Sequence, residues 1–74
     1  MKITYDLLAD AAYIAFTTAI TPGQVARTYT CDPTEVGGQI NLDFDVEGRL
    51  LGVEVLNASK GLPLEALDFA EHIE

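Results

Sequence analysis

Between Gln39 and Ser59 the chain reads QINLDFDVEGRLLGVEVLNAS, a stretch whose apolar residues recur with a period of two. Ile40, Leu42 and Phe44 alternate with Asn41, Asp43 and Asp45; past Asp45-Val46-Glu47-Gly48, Leu51, Val53 and Val55 alternate with Gly52 and Glu54. Alternation of that kind sends apolar side chains to one face and polar ones to the other, so it predicts a β-hairpin with one buried face. The turn chemistry agrees, with Asp45 to open it and Gly48 to supply a positive φ at its end. Every other segment must pair with this hairpin or cover its apolar face.

The flanking segments supply both. Lys2–Tyr5 alternates as a first strand, with Ile3 and Tyr5 on one face, and Asp6–Asp10 forms a turn through carboxylates that bond nearby amides. Ala11–Phe16 is the returning strand. A helix over Leu7–Phe16 is the alternative, but Tyr13, Ile14, Phe16 and Thr17 cluster at its end and favour the strand. After a loop over Thr17–Gly23, Gln24–Thr30 reads as a third, weakly patterned strand suited to a sheet edge or an intersubunit contact. Cys31–Gly38, with Asp32-Pro33 and Gly37-Gly38, reads as loop. Beyond the hairpin, Pro63–Glu74 reads as an amphipathic helix with Pro63 at its first position. Ala66, Leu67, Phe69, Ala70 and Ile73 fall on its inner arc, and Glu71 and Glu74 oppose its dipole so that the last turn frays.

The expected fold is therefore α+β: one domain over residues 1–74, with three to five short antiparallel strands within 1–59 and a C-terminal helix over 63–74. A core this small offsets the ordering entropy only narrowly, and Cys31 stands alone, with neither a disulfide partner nor a Cys/His cluster to hold zinc. Association with further copies is the remaining supplement, so a homo-oligomer is expected. Twelve acidic residues against four basic ones give a formal charge of −8. Nucleic acid and acidic lipid are poor partners for such a surface, whereas a basic protein or a divalent cation would suit it. No apolar run is long enough to span a membrane, and Asp6 and Asp10 interrupt any leader-like stretch, so a cytoplasmic chain is expected. The sequon Asn57-Ala58-Ser59 carries no meaning there.

Candidate chemistry is sparse. Asp43, Asp45, Glu47, Gly48, Leu50 and Glu54 match the calcium-loop pattern of an EF-hand at positions one, three, five, six, eight and twelve. Helices must flank such a loop, and here both flanks have the strand period. The simpler reading makes Asp45 and Gly48 turn formers and the other acids a solvated face, with Asp43 and Asp45 on the same side. Carboxylate pairs for acid/base hydrolysis, Asp43 with Asp45 or Asp6 with Asp10, read better as turn formers. His72 reads as an ordinary surface residue on the polar arc of the helix, and Cys31 as an inert small side chain without a basic neighbourhood. Tyr5, Tyr13 and Tyr29 suit core edges or an interface better than a stacking platform. No catalytic, cofactor or metal residues are assigned, and no cofactor is expected.

Ile3-Thr4-Tyr5-Asp6, Ala9-Asp10-Ala11 and Tyr13-Ile14 resemble the opening of a family of small bacterial and archaeal proteins, the domain of unknown function 2283. Its second block is similar to Ile40–Asp45 followed by Gly48–Ser59, and the resemblance spans about residues 2–62. It implies a compact antiparallel sheet, places the acidic turn inside a family signature, and brings no established activity. In size and acidity such proteins are similar to the neutralising halves of toxin–antitoxin pairs. Leu7-Leu8, where a charged turn is commoner, implies apolar side chains exposed at the turn unless something covers them. The reading these observations favour is a non-enzymatic interaction or assembly module. The alternatives are an antitoxin-like inhibitor of a small basic protein and a calcium binder through residues 43–54.

Overall fold

Two hairpins, joined through their inner strands, make the centre of a sheet that two shorter strands extend. The computed structural model describes residues 1–73. The strands are β1 (Lys2–Asp6), β2 (Ala11–Ala15), β3 (Arg27–Thr30), β4 (Gln39–Phe44), β5 (Leu50–Leu56) and β6 (Glu71–Ile73). Their order in space is β3-β4-β5-β2-β1-β6, every pair antiparallel except β1 with β6. With the helices α1 (Pro33–Val36), α2 (Ala58–Gly61) and α3 (Leu64–Phe69), the fold is α+β.

Both turns form as the side chains require. Asp6 Oδ1 accepts the amides of Leu8 and Ala9 at 3.0 and 3.1 Å in the β1–β2 turn. Asp45 Oδ1 accepts those of Glu47 and Arg49 at 2.9 and 2.8 Å, and Gly48 takes φ +82°, where a side chain would be strained. Residues 7–10 contain no helix, and Ala11–Ala15 is a strand.

The register sorts the side chains into rows. On one face, His72, Tyr5, Ala12, Val55 and Ile40 lie side by side across five strands; next to them runs a second row of Ile3, Ile14, Val53, Leu42 and Tyr29. α2 and α3 cover the first row. Tyr5, Ala12 and Val55 are buried with Ala58 of α2, Leu67 of α3 and Ala70 just beyond it, while Ile3, Val53 and Leu62 pack against their flank.

Three segments differ from the sequence reading. The helix expected over Pro63–Glu74 ends at Phe69, and Glu71–Ile73 is a sixth strand beside β1; Glu74 lies outside the described residues. Carboxylates near a helix C-terminus oppose its dipole, while the open edge of β1 offers backbone partners, so the chain leaves the helix for the sheet. Leu7 N–H donates to Ile73 O at 3.3 Å, and Lys2 Nζ pairs with Glu71 at 3.4 Å. Of the expected inner arc, Leu67 and Ala70 are buried, but Phe69 is 77 % exposed. The third strand starts at Arg27 rather than Gln24. The expected loop 31–38 holds a single helical turn, because Asp32 accepts the Thr34 amide at 2.9 Å and Pro33 is pre-set for a first helical position.

Candidate functional site

The face away from the helices carries the strand acids Asp6, Asp43, Glu54 and Glu71, as the register requires. Its centre is a cross-strand network. Tyr13 on β2 reaches over Gly52 of β5 to donate to Asp43 Oδ2 on β4 at 2.8 Å. Thr28 Oγ1 on β3 donates to Asp43 Oδ1 at 2.6 Å. Beside them, Thr30 Oγ1 donates to Asn41 Oδ1 at 2.8 Å, and Asn41 Nδ2 donates to Glu54 at 2.8 Å. Burial, with Asp43 as acceptor, pushes the Tyr13 phenol up to about 12, so it stays a proton donor.

Gly52 makes this possible. A Cβ there would sit 2.5 Å from Cζ and 2.7 Å from Cε2 of Tyr13, and closer still to the phenolic oxygen. The sequence left a sign, since a glycine inside a strand marks a close approach. What approached was not legible, because Tyr13 and Asp43 are thirty residues apart.

A second polar centre joins the β1–β2 turn to α2. Asp10 accepts from Tyr5 Oη at 2.7 Å, from the Ser59 amide at 2.9 Å and from Ser59 Oγ at 2.7 Å. Its own carbonyl accepts the Ala58 amide at 2.9 Å. The Ser59 and Tyr5 hydrogen bonds hold the Asp10 carboxyl below its ordinary range, and the bond to Asp10 raises the Tyr5 phenol. Asp6 and Asp10, adjacent candidates for an acid/base pair, thus serve different partners.

The four calcium candidates also go separate ways. Asp43 belongs to the cross-strand network and Glu54 bonds Asn41. Asp45, buried, closes the turn and receives Arg49 Nε at 2.8 Å, and Glu47 receives another guanidinium nitrogen of Arg49 at 2.7 Å. The Arg49 amide and guanidinium lower the Asp45 carboxyl, and that carboxyl raises the guanidinium. Asp43 and Asp45, expected on one face, differ in place: Asp43 lies within β4, whereas Asp45 lies past its end at Phe44, in the turn. Among the described residues no group of three or more His, Cys, Asp or Glu side chains is placed to hold a metal ion.

His72, expected on the exposed arc of a helix, is exposed but lies on β6 instead. Its ring meets Tyr5 edge-on at 5.7 Å, and its Nε2–H donates to Leu67 O at 3.0 Å. Cys31 is half-buried with a free thiol.

The helix-bearing face presents the opposite chemistry. None of its paired strand positions carries a carboxylate, and Arg27, lying 4.5 Å over the Phe44 ring, is the one Lys or Arg among those positions. The row Ile3, Ile14, Val53, Leu42 is only half-buried, and Tyr29 at its end is 55 % exposed. Phe16 continues β2 beyond this row, 44 % exposed, its amide bonded to Leu51 O at 2.9 Å. Leu7 and Leu8, whose exposure the sequence implied, are 55 % and 83 % exposed. Each of these residues was legible as apolar; their alignment into one row across five strands was not.

No helix among the described residues is long and apolar enough to cross a membrane. No curated protein and no solved structure matches the chain. The model of one family, described as a protein of unknown function (DUF2283), matches residues 2–59, which include both hairpins, the cross-strand network and the Asp10–Ser59 link. With most of its length so matched, the chain belongs to the DUF2283 family.

Proposed function

We propose that the chain is a non-enzymatic interaction module whose contact surface is the half-covered part of its apolar sheet face. The observation that carries this reading is the row Ile3–Ile14–Val53–Leu42–Tyr29, which crosses five strands and stays half-open, whereas Tyr5, Ala12 and Val55 at the centre of the neighbouring row are buried under the helices. A contiguous apolar patch bordered by Tyr and Arg has the composition of a protein contact surface. The polar candidates support the same reading, because Asp10, Asp43 and Asp45 are engaged in holding the chain together.

Paired affinity columns test it. One carries the native chain, one Tyr29→Glu, and one Gln39→Lys, an exposed position on the opposite face. Whatever binds, added copies of the chain included, should be lost from the Tyr29→Glu column and kept by Gln39→Lys. A basic protein held by the acidic face would do the reverse and leave with salt. Equal binding on the first two columns removes the row as the contact surface.

A further inference from the structure

We propose that the half-covered row seats a second copy of this chain, two sheets stacking apolar face to apolar face about a two-fold axis. This names the partner within the reading above and rests on it.

Area is the first argument. A compact monomer of 8.0 kDa exposes about 4,450 Å² by the usual size scaling, whereas this chain exposes 5046 Å². The surplus of about 600 Å² is what each partner buries at the lower end of specific, stable interfaces. The shape agrees: the extents of 33 × 29 × 18 Å describe a plate, with a broad face to pair rather than a knob.

The state of the core points to self-pairing rather than to an occasional visitor. Among the described residues no large side chain is fully buried, and Ala12 and Ala58 are the most enclosed of the core. A chain with one cysteine has no disulfide to make up the difference. The partner present in proportion whenever the chain is made is the chain itself, and two-fold pairing needs only one self-complementary patch.

Charge selects the face. At −8 per copy, two chains repel wherever their acids approach, and the strand acids Asp6, Asp43, Glu54 and Glu71 all lie on the other side. Of the charged side chains on paired strand positions, stacking through the apolar face brings only Arg27, seated on Phe44, near the seam and sends the strand acids outward. Sheets stacked in this way sit about 10 Å apart, so Tyr29, Leu42 and Phe16 of each copy interdigitate with those of the other.

The test is the mass in solution from about 1 to about 100 µM by analytical ultracentrifugation, on the native chain, Tyr29→Glu and Phe16→Glu, with circular dichroism to show that each variant folds. Both replaced side chains are already partly exposed, so the single copy tolerates the change. The expected result is a two-chain species whose dissociation constant rises at least about tenfold in each variant. A native chain that stays single at about 100 µM overturns the second-copy assignment and leaves the row to a partner of other chemistry, which the paired columns register separately. A pair that forms equally well in both variants overturns the row itself, and with it the reading on which this rests.

Discussion

Tyr13, Gly52 and Asp43 show how one missing side chain organises three strands. The phenol crosses β5 only because residue 52 has no Cβ, and the hydrogen bond it reaches then ties β2 to β4. Gly52→Ala drives a methyl group into the ring and should cost about 1–3 kcal/mol by overpacking. Tyr13→Phe keeps the ring but loses the hydrogen bond, at about 1 kcal/mol. A Tyr13→Ala background removes the three atoms nearest an added methyl group at residue 52, so most of the Gly52→Ala cost should vanish. Urea unfolding of the four chains of that cycle checks the coupling, and additive costs would mean the ring does not constrain residue 52. Asp45 and Asp10 make a prediction in pH. Both carboxyls are lowered in the folded chain, so the stability they add is complete above the ordinary carboxylate pKa of about 3.9 and is lost as pH falls below it, through their lowered values. Unfolding midpoints should therefore fall as pH drops below about 3.9, and Asp45→Asn should flatten that drop while lowering the neutral-pH midpoint.

At the scale of elements the C-terminal strand is the informative case. β6 replaces the last turn of an expected helix because a helix ending in acids gains little there, whereas the outer edge of β1 offers it backbone partners. Deleting residues 71–74 should leave the two hairpins paired but open the β1 edge. The Leu7 amide, bonded to Ile73 O, should then exchange with solvent as fast as an unprotected amide while the Phe16 amide, bonded to Leu51 O, stays protected. If Phe16 exchanges equally fast, β6 is part of the cooperative unit and not an added edge. The central hairpin and the β1–β2 hairpin were legible in the sequence because alternation and turn carboxylates are local signals that the register then obeys. The Asp32 cap was also local, and its side chain-to-amide bond explains a turn of helix where proline and glycine suggest only loop. β6 was not legible, since Phe69, Ala70 and Ile73 suit a helix wheel equally well and only a distant edge decides between them. The apolar row lay beyond reach for the same reason: five strands supply one residue each.

For the molecule as a whole, the proposed pairing of a chain of charge −8 with itself predicts a dependence on salt. Two such plates stacked through their apolar faces keep their strand acids outward, yet each still feels the net charge of the other across the thickness of a sheet. That repulsion reaches across the pair when the Debye length is about 30 Å at 0.01 M salt, and is largely screened when it is about 8 Å at 0.15 M. The apolar contact itself changes little over that range. Pairing should therefore tighten with salt, by on the order of tenfold between those two conditions, and tighten again as pH is lowered toward the isoelectric point near 4.2, short of the acid loss of fold. A complex with a basic partner through the acidic face behaves in the opposite way, weakening as the attraction is screened. Sedimentation of the native chain at both salt concentrations reads the sign directly. Tightening with salt is the signature of two acidic copies meeting away from their strand acids; weakening with salt would mean that the acids themselves carry the contact.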